Sequence, residues 1–309
     1  MISVLIPVKD GGEDLRRCLA GIASQQVEDE VEIVVVDSGS TDGSVDRARS
    51  AGARVHRISP SQFNHGATRN LLADISRGDT LVFTSQDAYA PKETWLSTLT
   101  APFAGKEAPA GTYGRQVAHF EATPPERFFL DFLYGERPRT QRAGAPGELS
   151  MQTTLFSNVN SAIRREVFEA HRFVEDIIMS EDQEWSRRVL LAGHTLGYVP
   201  EAAVRHSHPY TMPQAFRRFF DSGVSADRAY LAGARPSADV LRRESVRYAR
   251  EEVRWLWSNG HRRWLPYAAA YEAAKFAGLQ LGIRHRRLPH FVKTRLSALP
   301  SYWTLEGHS

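Results

Sequence analysis

The sequence is poor in cysteine and contains no long uncharged apolar segment. Cys18 is the single cysteine among 309 residues, so an internal disulfide is excluded, which is typical of a protein in a reducing compartment. No run of about 18 or more uncharged apolar residues occurs, so the sequence predicts no membrane-spanning helix. The chain starts with a strand-like segment and no basic region precedes it, so we expect no signal peptide. Together these absences predict a cytoplasmic location.

Charge is distributed unevenly along the chain, although the net charge is only +3. Residues 236–309 contain 13 Lys and Arg but only 6 Asp and Glu, a net charge of +7, whereas residues 1–235 carry a net charge of −4. Four of the six tryptophans also lie in residues 236–309. We therefore predict two domains: an acidic body of residues 1–235 and a basic, aromatic, helical extension of residues 236–309.

Strand and helix patterns alternate over about the first hundred residues. Residues 2–7, 31–36 and 80–84 are nearly all apolar, and helical patterns occur between them. Such alternation predicts an α/β fold with a mostly parallel, Rossmann-like central sheet and helices on both faces. Ligands bind such sheets at the carboxyl ends of the strands, so we expect functional residues directly after each strand.

The pattern is weaker beyond residue 105. Residues 120–150 are rich in Pro, Gly and Arg, which predicts a long surface loop or lid. Residues 182–191 predict a helix, and residues 195–199 and 203–206 predict a short pair of strands.

Small and acidic residues follow the first two predicted strands. A carboxylate at the end of a buried strand can accept hydrogen bonds from a nucleotide base or ribose, and small neighbours let the backbone approach a ligand closely. The alternative is a tight turn in which Asp42 caps the next helix. The candidate nucleotide-binding residues are Pro7, Val8, Lys9 and Asp10 after the first strand and Asp37, Ser38 and Gly39 after the second.

Residues 1–87 resemble glycosyltransferase family 2. In that family the first strand ends in Pro-Val/Thr-Lys/Tyr-Asp/Asn and the second in Asp-Asp/Ser-Gly-Ser-Thr-Asp-Gly, as residues 6–10 and 36–43 do here. The resemblance implies an A-type glycosyltransferase fold with a C-terminal helical extension, a pyrimidine nucleoside site in these loops, and an inverting transfer of a sugar from a nucleoside diphosphate.

Residues 63–70 resemble the rhamnosyltransferase branch of the same family. They include Arg69, whose guanidinium could bind a diphosphate or a carbonyl group. The resemblance implies L-rhamnose as the sugar, dTDP-β-L-rhamnose as its donor, and bacterial surface polysaccharide or O-antigen as the product. A UDP-hexose donor is one alternative, and a nucleotide-sugar-binding protein without catalysis is another.

A metal site is implied at residues 86–88, where the family usually has Asp-x-Asp. Gln86 and Asp87 supply one certain carboxylate instead of two, so Mg²⁺ or Mn²⁺ would need a further ligand. The natural candidate is His206, because some relatives carry a metal-binding histidine after the catalytic segment. The alternative for His206 and His208 is a pair of exposed strand histidines.

The catalytic base is implied in residues 180–188, where the family has an acidic pair. We expect Asp182 to take the proton from the acceptor hydroxyl, with Glu181 as the alternate. A plain acidic helix N-terminus is the structural alternative. Candidate acceptor or diphosphate contacts are Glu184, Trp185, Arg187 and His208, and candidate donor contacts on the preceding strand are Asn158 and Asn160.

Residues 255–303 interleave basic and aromatic residues. Such a pattern suits a membrane surface, because aromatic rings settle at headgroup depth and arginine meets anionic lipid. We therefore predict a peripheral protein at the inner face of the plasma membrane, and the resemblance implies a polyprenyl-diphosphate-linked glycan as acceptor. No nucleic-acid reading motif is present, so no nucleic-acid partner is predicted. A homodimer interface or a solvated helical subdomain is the alternative.

Overall fold

A computed structural model describes residues 1–143, 152–226, 228–229 and 238–304. Its strands are β1 Ile2–Val8, β2 Val31–Asp37, β3 Arg54–Arg57, β4 Thr80–Thr84, β5 Gly111–Val117, β6 Arg139–Arg142, β7 Asn160–Arg164 and β8 Thr195–Arg205. They form one sheet in the order β3-β2-β1-β4-β7-β5-β8-β6. The β3-β2-β1-β4 half is parallel, and so is the pair of β5 and β8, whereas β7 and β6 are antiparallel to their neighbours.

The helices cover both faces of this sheet. They are α1 Gly12–Ala23, α2 Ser44–Ser50, α3 His65–Ile75, α4 Trp95–Thr100, α5 Pro124–Leu133, α6 Arg165–Ala170, α7 Glu181–Leu191, α8 Met212–Ala226, α9 Ala238–Ser258, α10 Leu265–Ile283 and α11 His290–Leu296. Successive residues of β1 point to opposite faces, so Val4 joins the core beside Leu15 of α1 and Leu5 joins the core beside Leu72 of α3. This arrangement confirms the predicted α/β fold.

Two local predictions from the sequence are wrong. Part of residues 120–150 is not a loop, because α5 buries Phe128 and Leu130 and β6 pairs with β8 at the edge of the sheet. The predicted strand pair within residues 195–206 is one continuous strand, β8, and its pairing with β5 shifts register between Gly114 and Gln116. A bulge of this kind bends a strand and redirects the side chains that follow it.

The C-terminal helices pack directly on the body. A Cβ at Gly278 or Gly282 of α10 would collide with the backbone carbonyl oxygens of Phe216 and Phe220 in α8, so glycine is what allows these helices to cross so closely. The predicted boundary after residue 235 lies outside the described residues, and the division into two domains stays a prediction. None of the helices in the described part of the chain is long and apolar enough to cross a bilayer.

Candidate active site

The loops after β1 and β2 meet at the carboxyl edge of the sheet. The strands are parallel and in register, with Val8 opposite Asp37, so their loops begin side by side. The Lys9 ammonium donates to the Gly39 carbonyl oxygen at 2.7 Å, and the Asp10 carboxylate accepts from the backbone N–H of Thr41 at 2.8 Å. These bonds join the two predicted nucleotide loops into one surface.

Asp37 shapes the second loop. Its side chain is fully buried and accepts hydrogen bonds from the backbone N–H groups of Gly39 and Ser40 at 3.1 and 3.2 Å. The turn is left-handed at Gly39, where φ is 89°, a conformation that glycine adopts without strain. The side chain of Ser38 is also buried and donates to the Val8 carbonyl oxygen.

Gln86 links the loop after β4 to the loop after β1. Its Oε1 accepts from the Lys9 backbone N–H at 2.8 Å, and its Nε2 donates to the Lys9 carbonyl oxygen at 3.0 Å. A carboxylate could make only the first of these bonds, because it has no N–H to donate. Glutamine at this position therefore hydrogen-bonds two loops together, and Asp87 is the candidate metal ligand of this segment.

Asp87 lies between two histidines at the end of β8. Its Oδ1 is 3.7 Å from Nε2 of His206 and its Oδ2 is 3.6 Å from Nδ1 of His208, and one ligand atom from each residue fits within 4.8 Å. A carboxylate and two imidazoles around one point form a donor set that suits a divalent cation. The predicted contact of Asp87 and His206 is present, and His208, predicted as an acceptor or diphosphate contact, lies with them.

Hydrogen bonding orients His206 for this role. Its Nδ1 is 2.9 Å from Oε1 of Gln116, whose Nε2 faces the hydroxyls of Tyr134 and Ser157 at 2.8 and 2.9 Å. Because the amide nitrogen is committed to the hydroxyls, the amide oxygen accepts the Nδ1 proton and leaves the Nε2 lone pair toward Asp87. Burial lowers the pKa of His206 to about 4, so the ring is neutral near pH 7 and able to bind a metal.

Glu181 forms a buried ion pair. Its Oε1 lies 3.0 Å from Nη1 of Arg69 and accepts from Nδ2 of Asn158 at 3.2 Å. Burial acts to raise the pKa of Glu181, but the charges of Arg69 and His65 and the hydrogen bond from Asn158 together outweigh it, so the pKa is lowered and the carboxylate stays ionised. His65 lies beside Arg69, and burial lowers the pKa of this imidazole to about 4.

The pKa of Asp182 is shifted in the opposite direction from that of Glu181, although the two residues are adjacent. Burial and the negative charge of Glu181 raise the pKa of Asp182 to about 7. Asp182 as a whole is half-buried, and its carboxylate accepts from the backbone N–H groups of Asn158 at 3.0 Å and Gln183 at 2.8 Å. Ser180, the residue just before α7, has a left-handed backbone conformation with φ of 64°. This conformation is strained for a residue other than glycine, and it ends the loop where α7 begins.

Hydrogen bonds connect the histidine cluster with the acidic pair. Gln116 contacts His206 on one side and the Ser157 hydroxyl on the other, and the next residue, Asn158, holds Asp182 through its backbone N–H. Sequence reasoning missed Gln116, because a glutamine in a strand carries no motif and its role depends on where β5 lies beside β7 and β8.

Arg218 of α8 is a second residue that sequence reasoning missed. It hydrogen-bonds Sδ of Met179 and the hydroxyl of Tyr210, whose ring stacks on His208 with centroids 5.0 Å apart. Burial is the main cause of the lowered pKa of His206, and the charge of Arg218 contributes least. The charge of Arg218 acts on both His206 and His208, so it could also attract an anionic ligand beside them.

The other predicted site residues lie in the protein interior or along α7. Asn160 is fully buried, accepts from Trp95 Nε1 at 2.8 Å and donates to the Ala202 carbonyl oxygen, so its amide holds the sheet together. Trp185 is fully buried and packs in the core, not at a surface that an acceptor could reach. Glu184 is ion-paired with Arg188 at 2.7 Å, and Arg187 is partly exposed on the same helix.

The fold and these residues are compatible with a nucleotide-sugar transferase, and comparison with known sequences identifies the chain as a glycosyltransferase. The chain belongs to glycosyl transferase family 2, whose sequence profile matches residues 3–172. This confirms the resemblance that the first strands carry, and with it the inverting type of transfer that is typical of the family.

Two relatives are similar over most of the chain. The O-antigen chain rhamnosyltransferase WbaN of Salmonella anatum is 35% identical over 88% of this chain and 86% of its own length. The O-antigen chain rhamnosyltransferase RfbN of Salmonella typhimurium strain LT2 is 31% identical over 98% and 96%, respectively. The rhamnosyltransferase branch predicted from residues 63–70 is confirmed.

Solved structures share the fold at lower identity. The mannosyltransferase PcManGT from Pyrobaculum calidifontis, in complex with GDP-Man and Mn²⁺, has a TM-score of 0.55 at 17% identity and covers 98% of this chain and 84% of its own. TarS 1–349 of S. aureus in complex with UDP has a TM-score of 0.53 at 15% identity, covering 93% and 91%. These likenesses confirm the A-type glycosyltransferase fold with added C-terminal helices.

Proposed function

We propose that this chain transfers L-rhamnose from dTDP-β-L-rhamnose to a polyprenyl-diphosphate-linked glycan at the cytoplasmic face of the membrane, in O-antigen or a related polysaccharide. Support for the sugar comes from the two rhamnosyltransferases that match most of the chain. Support for transfer comes from one structural observation: Glu181 is ionised and paired with Arg69, while the adjacent Asp182 has a pKa raised by burial and by Glu181 to about 7.

In this proposal the donor lies across the carboxyl edge of the sheet. The pyrimidine nucleoside would occupy the loops formed by Pro7, Val8, Lys9 and Asp10 and by Asp37, Ser38 and Gly39. The diphosphate would lie between the histidine cluster and Arg218, whose guanidinium can donate two parallel hydrogen bonds to phosphate oxygens.

Asp87, His206 and His208 would hold the divalent cation. Two imidazole ligands favour a first-row transition ion such as Mn²⁺ over Mg²⁺, which prefers oxygen ligands. Mn²⁺ accompanies the sugar nucleotide in the mannosyltransferase that shares the fold. When bound, the cation would offset negative charge on the departing diphosphate.

Asp182 would act as the general base. Its carboxylate takes the proton of the acceptor hydroxyl as the hydroxyl oxygen bonds to the anomeric carbon and the bond from that carbon to the diphosphate breaks, which inverts the anomeric configuration. A base is most effective when its pKa lies near the working pH, which the pKa of about 7 satisfies. The backbone N–H groups of Asn158 and Gln183 fix the direction of the carboxylate.

A UDP-hexose donor is the second candidate, because TarS, which shares the fold, was solved with UDP. The test is a thermal-shift panel of dTDP, UDP, GDP and ADP with and without Mn²⁺, followed by transfer assays with dTDP-rhamnose and UDP-hexoses. We expect stabilisation by dTDP or UDP with Mn²⁺, none by purine nucleotides, and turnover of dTDP-rhamnose. Turnover of a UDP-hexose but not of dTDP-rhamnose would show that the donor is a UDP-hexose. Metal-dependent nucleotide binding without turnover of any donor would indicate a nucleotide-sugar-binding protein.

A further inference from the structure

Helix α10 exposes apolar residues and buries charge. Eight of its residues are exposed, and every one of them is apolar. The most exposed large side chains are Phe276 at 54%, Ile283 at 37% and Leu281 at 36%. The exposed set, here named the α10 outer face, is Pro266, Ala269, Ala270, Ala273, Phe276, Ala277, Leu281 and Ile283.

The α10 outer face is a continuous strip. Its members recur every three to four residues, which places them on one side of an α-helix about 28 Å long. The opposite side carries Gly278 and Gly282 against α8, and also Lys275, which is 5% exposed, pairs with Glu272 at 2.8 Å and lies 4.1 Å from the centre of the Phe129 ring. Soluble surface helices show the reverse pattern, with charge outside and apolar residues inside.

Exposed arginines flank the strip at both ends. Arg262 and Arg263 precede α10, and Arg284, Arg286 and Arg287 follow it. Phe291, which is 72% exposed, lies shortly beyond the second group. A helix with a charge-free apolar side between cationic ends fits the boundary between lipid headgroups and acyl chains.

We infer that the α10 outer face docks on an anionic lipid membrane, with its apolar strip in the interfacial layer and the flanking arginines on lipid phosphates. Charge complementarity favours this occupant over a second copy of the chain, because two copies would bring together extensions that each carry a net charge of +7. An anionic bilayer attracts the same charge. The contact deepens the proposed function by giving the lipid-linked acceptor a route to the site, but its test does not depend on that function.

The test compares two leucines of similar exposure on different helices. Leu281 on the α10 outer face is 36% exposed, and Leu191 at the end of α7 is 39% exposed. Binding of the full chain, Leu281→Glu and Leu191→Glu is measured by co-sedimentation with phosphatidylcholine vesicles that contain or lack phosphatidylglycerol. We expect binding to the anionic vesicles only, a decrease with added salt, a loss on the order of tenfold in Leu281→Glu, and no change in Leu191→Glu.

Equal binding by both variants, or no binding of the unaltered protein to anionic vesicles, would overturn the inference. So would a dimer in light scattering that Leu281→Glu converts to a monomer, because the face would then belong to a second copy. Stabilisation by dTDP with Mn²⁺ is recorded for all three proteins. If vesicle binding follows the expected pattern but no sugar is transferred, the proposed function is wrong, whereas the inference that the α10 outer face binds a membrane is upheld.

Discussion

The guanidinium of Arg69 lies 3.0 Å from the carboxylate of Glu181, and both side chains are less than a tenth exposed. This pair separates the roles of two consecutive acids. Glu181 is held ionised by its partner and is turned into the protein, whereas Asp182 is partly exposed and has a pKa near neutrality. The negative charge of Glu181 is one cause of that raised pKa. In the proposed mechanism Glu181 therefore acts through its neighbour Asp182 and does not contact the acceptor.

Asp182→Asn should remove transfer while keeping donor binding. Asparagine retains the shape of the side chain but cannot accept the proton, so the rate should fall by ~10²–10⁴-fold, the usual contribution of a general base. Initial rates and calorimetric titration with dTDP measure the two effects separately. Near-normal rates in Asp182→Asn, together with a Glu181→Gln variant that is folded but inactive, would show that Glu181 is the general base instead of Asp182.

Arg69→Met should destabilise the fold, because it leaves Glu181 charged and buried without a partner. Breaking a buried pair from one side costs about 3–5 kcal/mol in the free energy of unfolding, which urea denaturation measures. The double variant Arg69→Met, Glu181→Met should regain much of the lost free energy of unfolding, since neither buried charge of the pair then remains. Arg16→Met, which removes an exposed pair with Glu13, is the control and should change little. A small effect of Arg69→Met would show that water reaches the pair.

Activity should rise with pH through about 7. Burial and Glu181 raise the pKa of Asp182, so its carboxyl is protonated and inactive below that value and ionised above it. In folded Glu181→Gln the repelling charge is gone, so the acidic limb of the kcat profile should move to lower pH. An acidic limb at the ordinary aspartate pKa in the unaltered enzyme would assign the base to another group.

Gln116→Leu should weaken Mn²⁺ binding by about 10–100-fold, the usual effect of removing the hydrogen-bond partner of a ligating histidine. Excess Mn²⁺ should restore activity, because the ligands themselves remain. Gln141→Leu is a matched control: Gln141 is also buried but hydrogen-bonds the Thr153 and Leu155 carbonyl oxygens, away from His206. Equal metal affinity in both variants would mean that His206 needs no orienting partner.

Arg218→Gln should weaken dTDP binding by about 10–100-fold, since a hydrogen bond to a charged group contributes roughly 1.5–3 kcal/mol. Thymidine, which has no phosphate, should bind both forms equally. The exposed neighbour Arg217 provides the control, and Arg217→Gln should bind dTDP normally. An equal loss of affinity for thymidine would indicate a general disturbance of the site. Unchanged dTDP affinity would show that Arg218 does not contact the diphosphate.

Strands β1, β2 and β4 were predictable from the sequence because they are buried on both faces and are therefore nearly all apolar. The loops after β1, β2 and β4 were predictable for the same reason, since they begin where those runs end. Helix α5 was not, because Pro124 and Pro125 at its start and the glycines and arginines around it are typical of a loop. Proline suits the first turn of a helix, however, and the apolar face of α5 is what holds it on the sheet.

The site was predictable only where its residues belong to a motif of the family. Asp182 and Glu181 are adjacent, but successive helical residues point about 100° apart, so one faces the cleft and the other the interior. The same geometry places Trp185, one turn after Glu181, in the core. Gln116 and Arg218 come from β5 and α8, and only the folded chain brings them to the histidines.

Helices α8 and α10 cross closely at Gly278 and Gly282, so they must be exchanged together in any chimaera between this chain and its relatives. A chimaera joined at residue 235 would seat a foreign α10 on this α8, and any side chain larger than hydrogen at position 278 or 282 would separate the helices. Because α8 carries Arg218, that separation would displace the proposed diphosphate contact as well as α10. The smallest exchangeable module therefore extends from Met212 to Ile283, and it includes this candidate site residue.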